Sequence, residues 1–203
     1  TLLRTQSARG RVGKQVIRDK FELEGQTLCV IGLGDIGGTL AHKAKALGMQ
    51  VIGVRRSHAP FHGIDAQVTP DRLHEGLRTA DHVALCLPLT QETTHIVGAA
   101  ELAVMKPTAY IYNVGRGQSI EKNALLDALV NGRIAGAGLD VTDPEPLPDD
   151  SPLWEMPNVI LSQHTSGSSP FNADRITTIF LDNLARFRRG ELLHNIVDKQ
   201  LGY

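Results

Sequence analysis

The chain has 203 residues, 41% of them hydrophobic and 21% charged, which suits one soluble globular domain or one and a fraction. The formal net charge of −1 excludes a general attraction to nucleic acid or to an anionic membrane, and no apolar run reaches the ~18 residues needed to span a bilayer. Cys29 and Cys86 lie within apolar runs and read as small core residues of a reducing compartment; with no secretory signal visible, a cytoplasmic location is expected.

In chain order, residues 1–25 form a polar, helix-like opening that reads as the middle of something longer. Short apolar runs follow at 28–32, 51–54, 83–87, 109–113, 135–139 and 158–162 and predict strands. They lack polar alternation, so the strands are expected to be covered on both faces. Helical patterns separate them: 36–47, closed by Gly48; 70–77, capped by Thr69; 99–105; and 121–131, closed by Gly132. The last helix is the longest, with Ser169 as its cap, Pro170 in the first helical position and Gly190 after its end. The tail carries Leu192, Leu193, Ile196 and Val197, which need something to pack against. This alternation predicts an α/β fold, a Rossmann-type doubly wound parallel sheet with helices on both faces.

Gly32, Gly34 and Gly37 form a G-x-G-x-x-G that directly follows the first strand and opens the first helix. Gly32 permits the tight turn, Gly34 lets the backbone approach a pyrophosphate, and Gly37 lets the helix lie close on the strand. The helix start then offers free N–H groups and positive dipole to phosphate. The second strand ends on Arg55 and Arg56, where an acidic residue would grip the ribose of NAD. Guanidinium groups cannot accept hydrogen bonds but bind phosphate bidentately. Arg55 and Arg56, with the Ser57 hydroxyl beside them, therefore point to NADP rather than NAD. The alternative is that both arginines are solvated and stack on adenine.

Three further stretches carry chemistry. Arg116 lies between glycines just after a strand, Asp140 stands at a strand end with Glu145 in the Pro-rich loop beyond, and His164 ends the last strand. In an open parallel sheet the ligand lies beyond the carboxyl ends of the strands, so these groups can converge with the glycine turn on one crevice. Taken singly, each also reads as a surface turn residue, a solvated acid or a satisfied histidine.

Together, "GLGDIG", "LPLTQET", "NVGRG", "LDVTDPEP" and "LWEMPNVILSQH" resemble the D-isomer-specific 2-hydroxyacid dehydrogenases, which include glyoxylate/hydroxypyruvate reductases and phosphoglycerate dehydrogenases. The resemblance implies a catalytic set of Arg116, Glu145 and His164. It places Asp140 on the nicotinamide and Gly167 near its amide. Asp35, Ile36, Leu87, Pro88, Thr93, Val114 and Gly115, with Arg116 and His164, would line the dinucleotide; no metal is implied. In reduction of a 2-oxo acid, Arg116 would bind the carboxylate and carbonyl oxygen, His164 would donate a proton, and Glu145 would hold the imidazole in its charged form.

Two features depart from the family pattern. Arg55 replaces the acidic ribose residue of NAD-using members, and most of the family's N-terminal substrate domain is missing. The resemblance thus implies a crossover helix at 1–25, the NAD(P)-binding domain at 26–168 and a returning helix and tail at 169–203, from an enzyme that is a homodimer when full length. A small 2-oxo or 2-hydroxy acid is the implied partner, with no nucleic acid or membrane. Rival readings on the same scaffold are a non-catalytic dinucleotide sensor and a phosphite dehydrogenase. A formate dehydrogenase would have glutamine in the place of Glu145.

Overall fold

The computed structural model describes residues 22–200, so most of the expected crossover helix at 1–25 lies outside the described residues. Seven strands form one sheet: β1 (Thr27–Ile31), β2 (Gln50–Val54), β3 (Ala66–Val68), β4 (His82–Leu85), β5 (Tyr110–Asn113), β6 (Gly136–Leu139) and β7 (Val159–Leu161). Their spatial order is β3-β2-β1-β4-β5-β6-β7, and every pairing is parallel. The chain winds outward from β1 in one direction and then from β4 in the other. The point of reversal is where such sheets open a crevice at their carboxyl ends.

Successive side chains of a strand point to opposite faces, and both faces of β1 are apolar for that reason. Leu28 and Val30 join a core with Leu33, Ala41, Ala44, Met49 and Val51 on the side of α1 (Asp35–Ala46). Cys29 and Ile31 join the larger core on the other side. That core also takes Leu77 of α2 (Leu73–Thr79), Leu102 of α3 (Ala99–Val104) and Leu125, Ala128 and Leu129 of α4 (Lys122–Val130). At the edge strand β7 the cover is one-sided among the described residues: Val159 is 3% exposed and Ile160 76%.

Six of the seven strands lie where apolar runs predict them. β3 was not expected; it has three residues, none fully buried, so it lacks the apolar signal. The helix expected at 70–77 is a 3-10 turn at Pro70–Arg72 followed by α2, and the Thr69 side chain caps no backbone N–H there. The glycine stops hold: Gly48, Gly132 and Gly190 all take left-handed backbone.

Contacts divide the chain after Gln163. The second unit contains α5 (Asn172–Arg189), 18 residues long, with no buried residue. It begins after Phe171, not at Pro170. Ser169 accepts the Phe171 N–H at 3.2 Å in a turn before the helix and is not its cap. The tail is tied back to α5 by a reciprocal pair, Asn183 Nδ2 to the His194 carbonyl at 3.1 Å and His194 N to Asn183 Oδ1 at 2.8 Å. Among the described residues no helix is long and apolar enough to cross a membrane.

Candidate functional site

The glycine turn is shaped by where side chains cannot go. Gly32 has φ +98°, and a Cβ on it would sit 2.8 Å from both the Cys86 carbonyl oxygen and Leu87 Cδ2. A Cβ on Gly37 would collide with the Gly32 carbonyl oxygen, so α1 lies directly on the turn. Gly34, by contrast, has no atom of the described residues within 4 Å of its Cβ position. It precedes the first residue of α1, and its own carbonyl accepts the first helical bond, from Gly38 N at 2.7 Å. The N–H groups of Asp35, Ile36 and Gly37 therefore have no intrahelical acceptor and border open space, an arrangement that accommodates an anion.

The two arginines after β2 do different things. The Arg55 backbone N–H bonds the Val68 carbonyl at 3.1 Å, and its guanidinium has no partner among the described residues. Arg56 Nη1 instead donates to Glu92 Oε2 at 2.9 Å, reaching the loop that follows β4. The Ser57 hydroxyl accepts the Ala59 N–H at 3.2 Å. On the β4 loop, the Thr93 hydroxyl donates to the Pro88 carbonyl and accepts the Thr90 N–H, both at 2.7 Å. That hydroxyl holds the loop that carries the half-buried Leu87 and Pro88.

The turn after β5 is braced by Asn113, which is 1% exposed. Its Oδ1 accepts the Gly115 N–H at 3.0 Å and its Nδ2 donates to the Arg116 carbonyl at 2.8 Å. Gly115 lies against Leu87: a Cβ there would be 2.6 Å from the Leu87 carbonyl oxygen. The Arg116 side chain is exposed, with Nη1 donating to the Gly115 carbonyl at 2.8 Å. One strand further, the Asp140 N–H bonds the Asn113 carbonyl at 3.0 Å, and the buried Asp140 carboxylate accepts the Ser162 hydroxyl at 2.6 Å. Glu145 is exposed in the loop beyond.

Residues from the glycine turn to Glu145 thus belong to one unit, and the loops that carry most of them touch in sequence along the carboxyl edge of the sheet. His164 and Gly167 belong to the second unit. There His164 has φ +53° and is exposed, and the Gly167 carbonyl accepts Asn172 Nδ2 at 2.8 Å. Burial pushes the thiols of Cys29 and Cys86 up to about 12 and about 11, so neither is a thiolate near neutral pH.

Sequence reasoning missed Asn113, Ser162 and Glu92 as supporting groups. An Asn two residues before a Gly at a strand end is an Asx-turn signal and marks the first of them. The other two carry no local signal, because their partners lie on other loops. Chemically, the edge offers an anion cradle, an uncommitted guanidinium beyond it, a second exposed guanidinium and a buried carboxylate oriented to accept a hydrogen bond.

Residues 2–166 match the family described as D-isomer specific 2-hydroxyacid dehydrogenase, NAD binding domain. A glyoxylate reductase of Korarchaeum cryptofilum is 37% identical over 184 residues, covering 89% of this chain and 54% of the relative. Among solved structures, an NADPH-dependent glyoxylate/hydroxypyruvate reductase of Sinorhizobium meliloti, in complex with NADP and sulfate, has a TM-score of 0.88 at 30% identity, covering 100% of this chain and 63% of that one. A probable 2-hydroxyacid dehydrogenase of Rhizobium etli, in complex with NADP, HEPES and L(+)-tartaric acid, has a TM-score of 0.86 at 31% identity, covering 98% and 62%. The chain spans a little over half the length of two curated relatives it matches, 59% of one and 54% of the other.

Proposed function

The chain belongs to the D-isomer specific 2-hydroxyacid dehydrogenase family, and from that premise we propose that it is the cofactor-binding part of an oxidoreductase. The reaction is hydride transfer between NADP(H), in preference to NAD(H), and C2 of a 2-oxo or 2-hydroxy acid. The observation that carries this reading is the continuous row of loops from the open glycine turn to Asp140. The residues present fit a dinucleotide: the space above Gly34 is open where a pyrophosphate would lie, and Arg55 is uncommitted where a ribose phosphate would lie.

The bound nicotinamide supplies or accepts the hydride. The protein binds, orients and moves a proton. Gly34 and the helix-start N–H groups receive the pyrophosphate, Arg55 receives the 2′-phosphate beside Ser57, and Leu87, Pro88, Val114 and Gly115 line the rings. Asp140, held by Ser162, accepts from the carboxamide so that one face of the nicotinamide is offered to substrate. Arg116, on its Asn113 brace, binds the substrate's carboxylate and carbonyl oxygen. His164 gives a proton to the developing alkoxide in reduction, and Glu145 stabilises the charged imidazole.

We assign the opposite wall of the substrate site to the part of the relatives' length that this chain does not span, so this chain alone turns over 2-oxo acids poorly. The longer protein acts as a cytoplasmic homodimer on a small acid, with neither nucleic acid nor membrane as partner; two free thiols, Cys29 buried and Cys86 half-buried, suit a reducing compartment. The test is His164→Ala in the protein extended to its relatives' length. Reduction of glyoxylate or hydroxypyruvate falls about 10²–10⁴-fold while NADPH affinity changes little. Near-normal rates in that variant would replace the enzyme reading with that of a dinucleotide sensor.

A further inference from the structure

Arg55 and Arg56 are consecutive residues after β2, yet their side chains part company. Arg55 has no partner among the described residues, whereas Arg56 is bonded to Glu92 at 2.9 Å. The chain bends at Arg56, just past the end of β2, so one side chain can follow a ligand while the other turns to a neighbouring loop. Glu92 lies on the loop after β4. β2 and β4 are the two neighbours of β1, whose end carries the glycine turn. The Arg56–Glu92 pair therefore joins the two loops that leave the strands on either side of that turn.

Charge decides what this arrangement does to a phosphate there. Two arginines would present +2; with the Glu92 carboxylate bonded to one of them, the cluster presents +1. Both members of the pair are well exposed, at 44% and 68% of their side chains, so the bond itself adds little to stability. Its electrostatic effect on a dianion a few ångströms away is larger, because the Glu92 charge both neutralises Arg56 and repels the ligand.

We propose that Glu92 sets the strength of the cofactor preference: it withholds Arg56 from the ribose 2′-phosphate and leaves Arg55 as the phosphate ligand. The inference rests on the NADP reading above and deepens it, since that reading gives no part to Glu92 or to its bond with Arg56. Glu92 is then a specificity-determining residue that acts through Arg56 without touching the phosphate. Its carboxylate keeps NADP from binding as tightly as a double-arginine site would allow.

The test is calorimetric titration of the 203-residue chain with two halves of the cofactor, 2′,5′-ADP and 5′-AMP, which differ only in the 2′-phosphate. Glu92→Gln keeps shape and hydrogen-bonding capacity but removes charge. It tightens 2′,5′-ADP about three- to tenfold and leaves 5′-AMP unchanged. Arg56→Gln changes 2′,5′-ADP binding little in the wild-type background and abolishes the gain in the Glu92→Gln background. Equal losses for both probes in Glu92→Gln would mean a latch over the adenosine with no part in selectivity, and would overturn the proposal; so would unchanged binding of both. If the wild-type chain itself shows no preference for 2′,5′-ADP, the NADP reading fails and this inference falls with it. If the preference is present but indifferent to Glu92, only the inference fails.

Discussion

The two ends of the sheet treat their polar groups in opposite ways. At the amino end His82 is 4% exposed, and both ring nitrogens are bonded, Nδ1 to the Tyr112 hydroxyl at 3.0 Å and Nε2 to Gln26 Oε1 at 2.6 Å. Beside it, Asp81 takes the Thr27 N–H at 2.9 Å and Lys106 Nζ at 2.7 Å. At the carboxyl end, Gly34 borders open space, the Arg55 guanidinium has no partner among the described residues, and Arg116 is exposed. One end uses its polar groups to join β1, β4 and β5; the other holds them for something else. Charged or polar groups left uncommitted on a rigid, braced edge identify the ligand end more surely than any one motif does.

The largest effect that sharpens this contrast is expected at two glycines of the same turn. Gly37→Ala drives a Cβ into the Gly32 carbonyl oxygen and costs about 3 kcal/mol of stability, with loss of cofactor binding. Gly34→Ala enters open space, so stability changes by no more than about 1 kcal/mol while cofactor affinity falls. Chemical denaturation and titration of both variants read this directly. Equal destabilisation by the two would break the distinction between packing glycine and ligand glycine.

A smaller effect is expected at the amino end, from pH. Burial, opposed by the charge of Asp81, holds His82 below its ordinary value of 6.5. The unfolded chain then binds the proton that the folded chain refuses, so stability is fully present above about pH 6.5 and falls as pH drops from there toward the folded value. The carboxylates of Asp81 and Asp65 are held below 3.8 by Lys106 and Lys45 and by backbone N–H groups, and their contributions are lost only at lower pH. Denaturation midpoints measured in His82→Gln lose the upper of these two windows and keep the lower. A wild-type chain whose stability is flat between pH 6.5 and 5 would contradict the assignment of His82 as a neutral, sealed group.

The smallest effect concerns an exception at the carboxyl end. The Ser119 hydroxyl, in the turn after Arg116, is buried without a partner among the described residues. Ser119→Ala removes an unsatisfied group and raises stability by about 1 kcal/mol. A loss of stability of that size would show that a water bonds the hydroxyl.

Most of the fold was legible because strands buried on both faces are written as uninterrupted apolar runs, as in β1 and β4. β3 was not, since Ala66, Gln67 and Val68 carry no such run, and neither was the start of α5, where Pro170 and Ser169 imitate a helix entry that the chain delays to Asn172. The glycine turn was legible for a steric reason, since backbone packed on backbone leaves no choice of residue at Gly32 and Gly37. The separate fates of Arg55 and Arg56 were not, because they depend on Glu92, which only the order of strands brings near. The same holds for Ser162, whose bond to Asp140 links the residues beyond β6 and β7.

Calorimetric titration of the chain and of its Arg55→Asp variant with NADPH and NADH decides whether the carboxyl edge is a dinucleotide site at which Arg55 selects the 2′-phosphate. The wild type is expected to bind NADPH about ten- to a hundredfold more tightly, the size of one charge-assisted phosphate contact, and the variant to prefer NADH because repulsion replaces attraction. Equal affinity of the wild type for the two cofactors, or a preference unmoved by Arg55→Asp, would overturn that assignment.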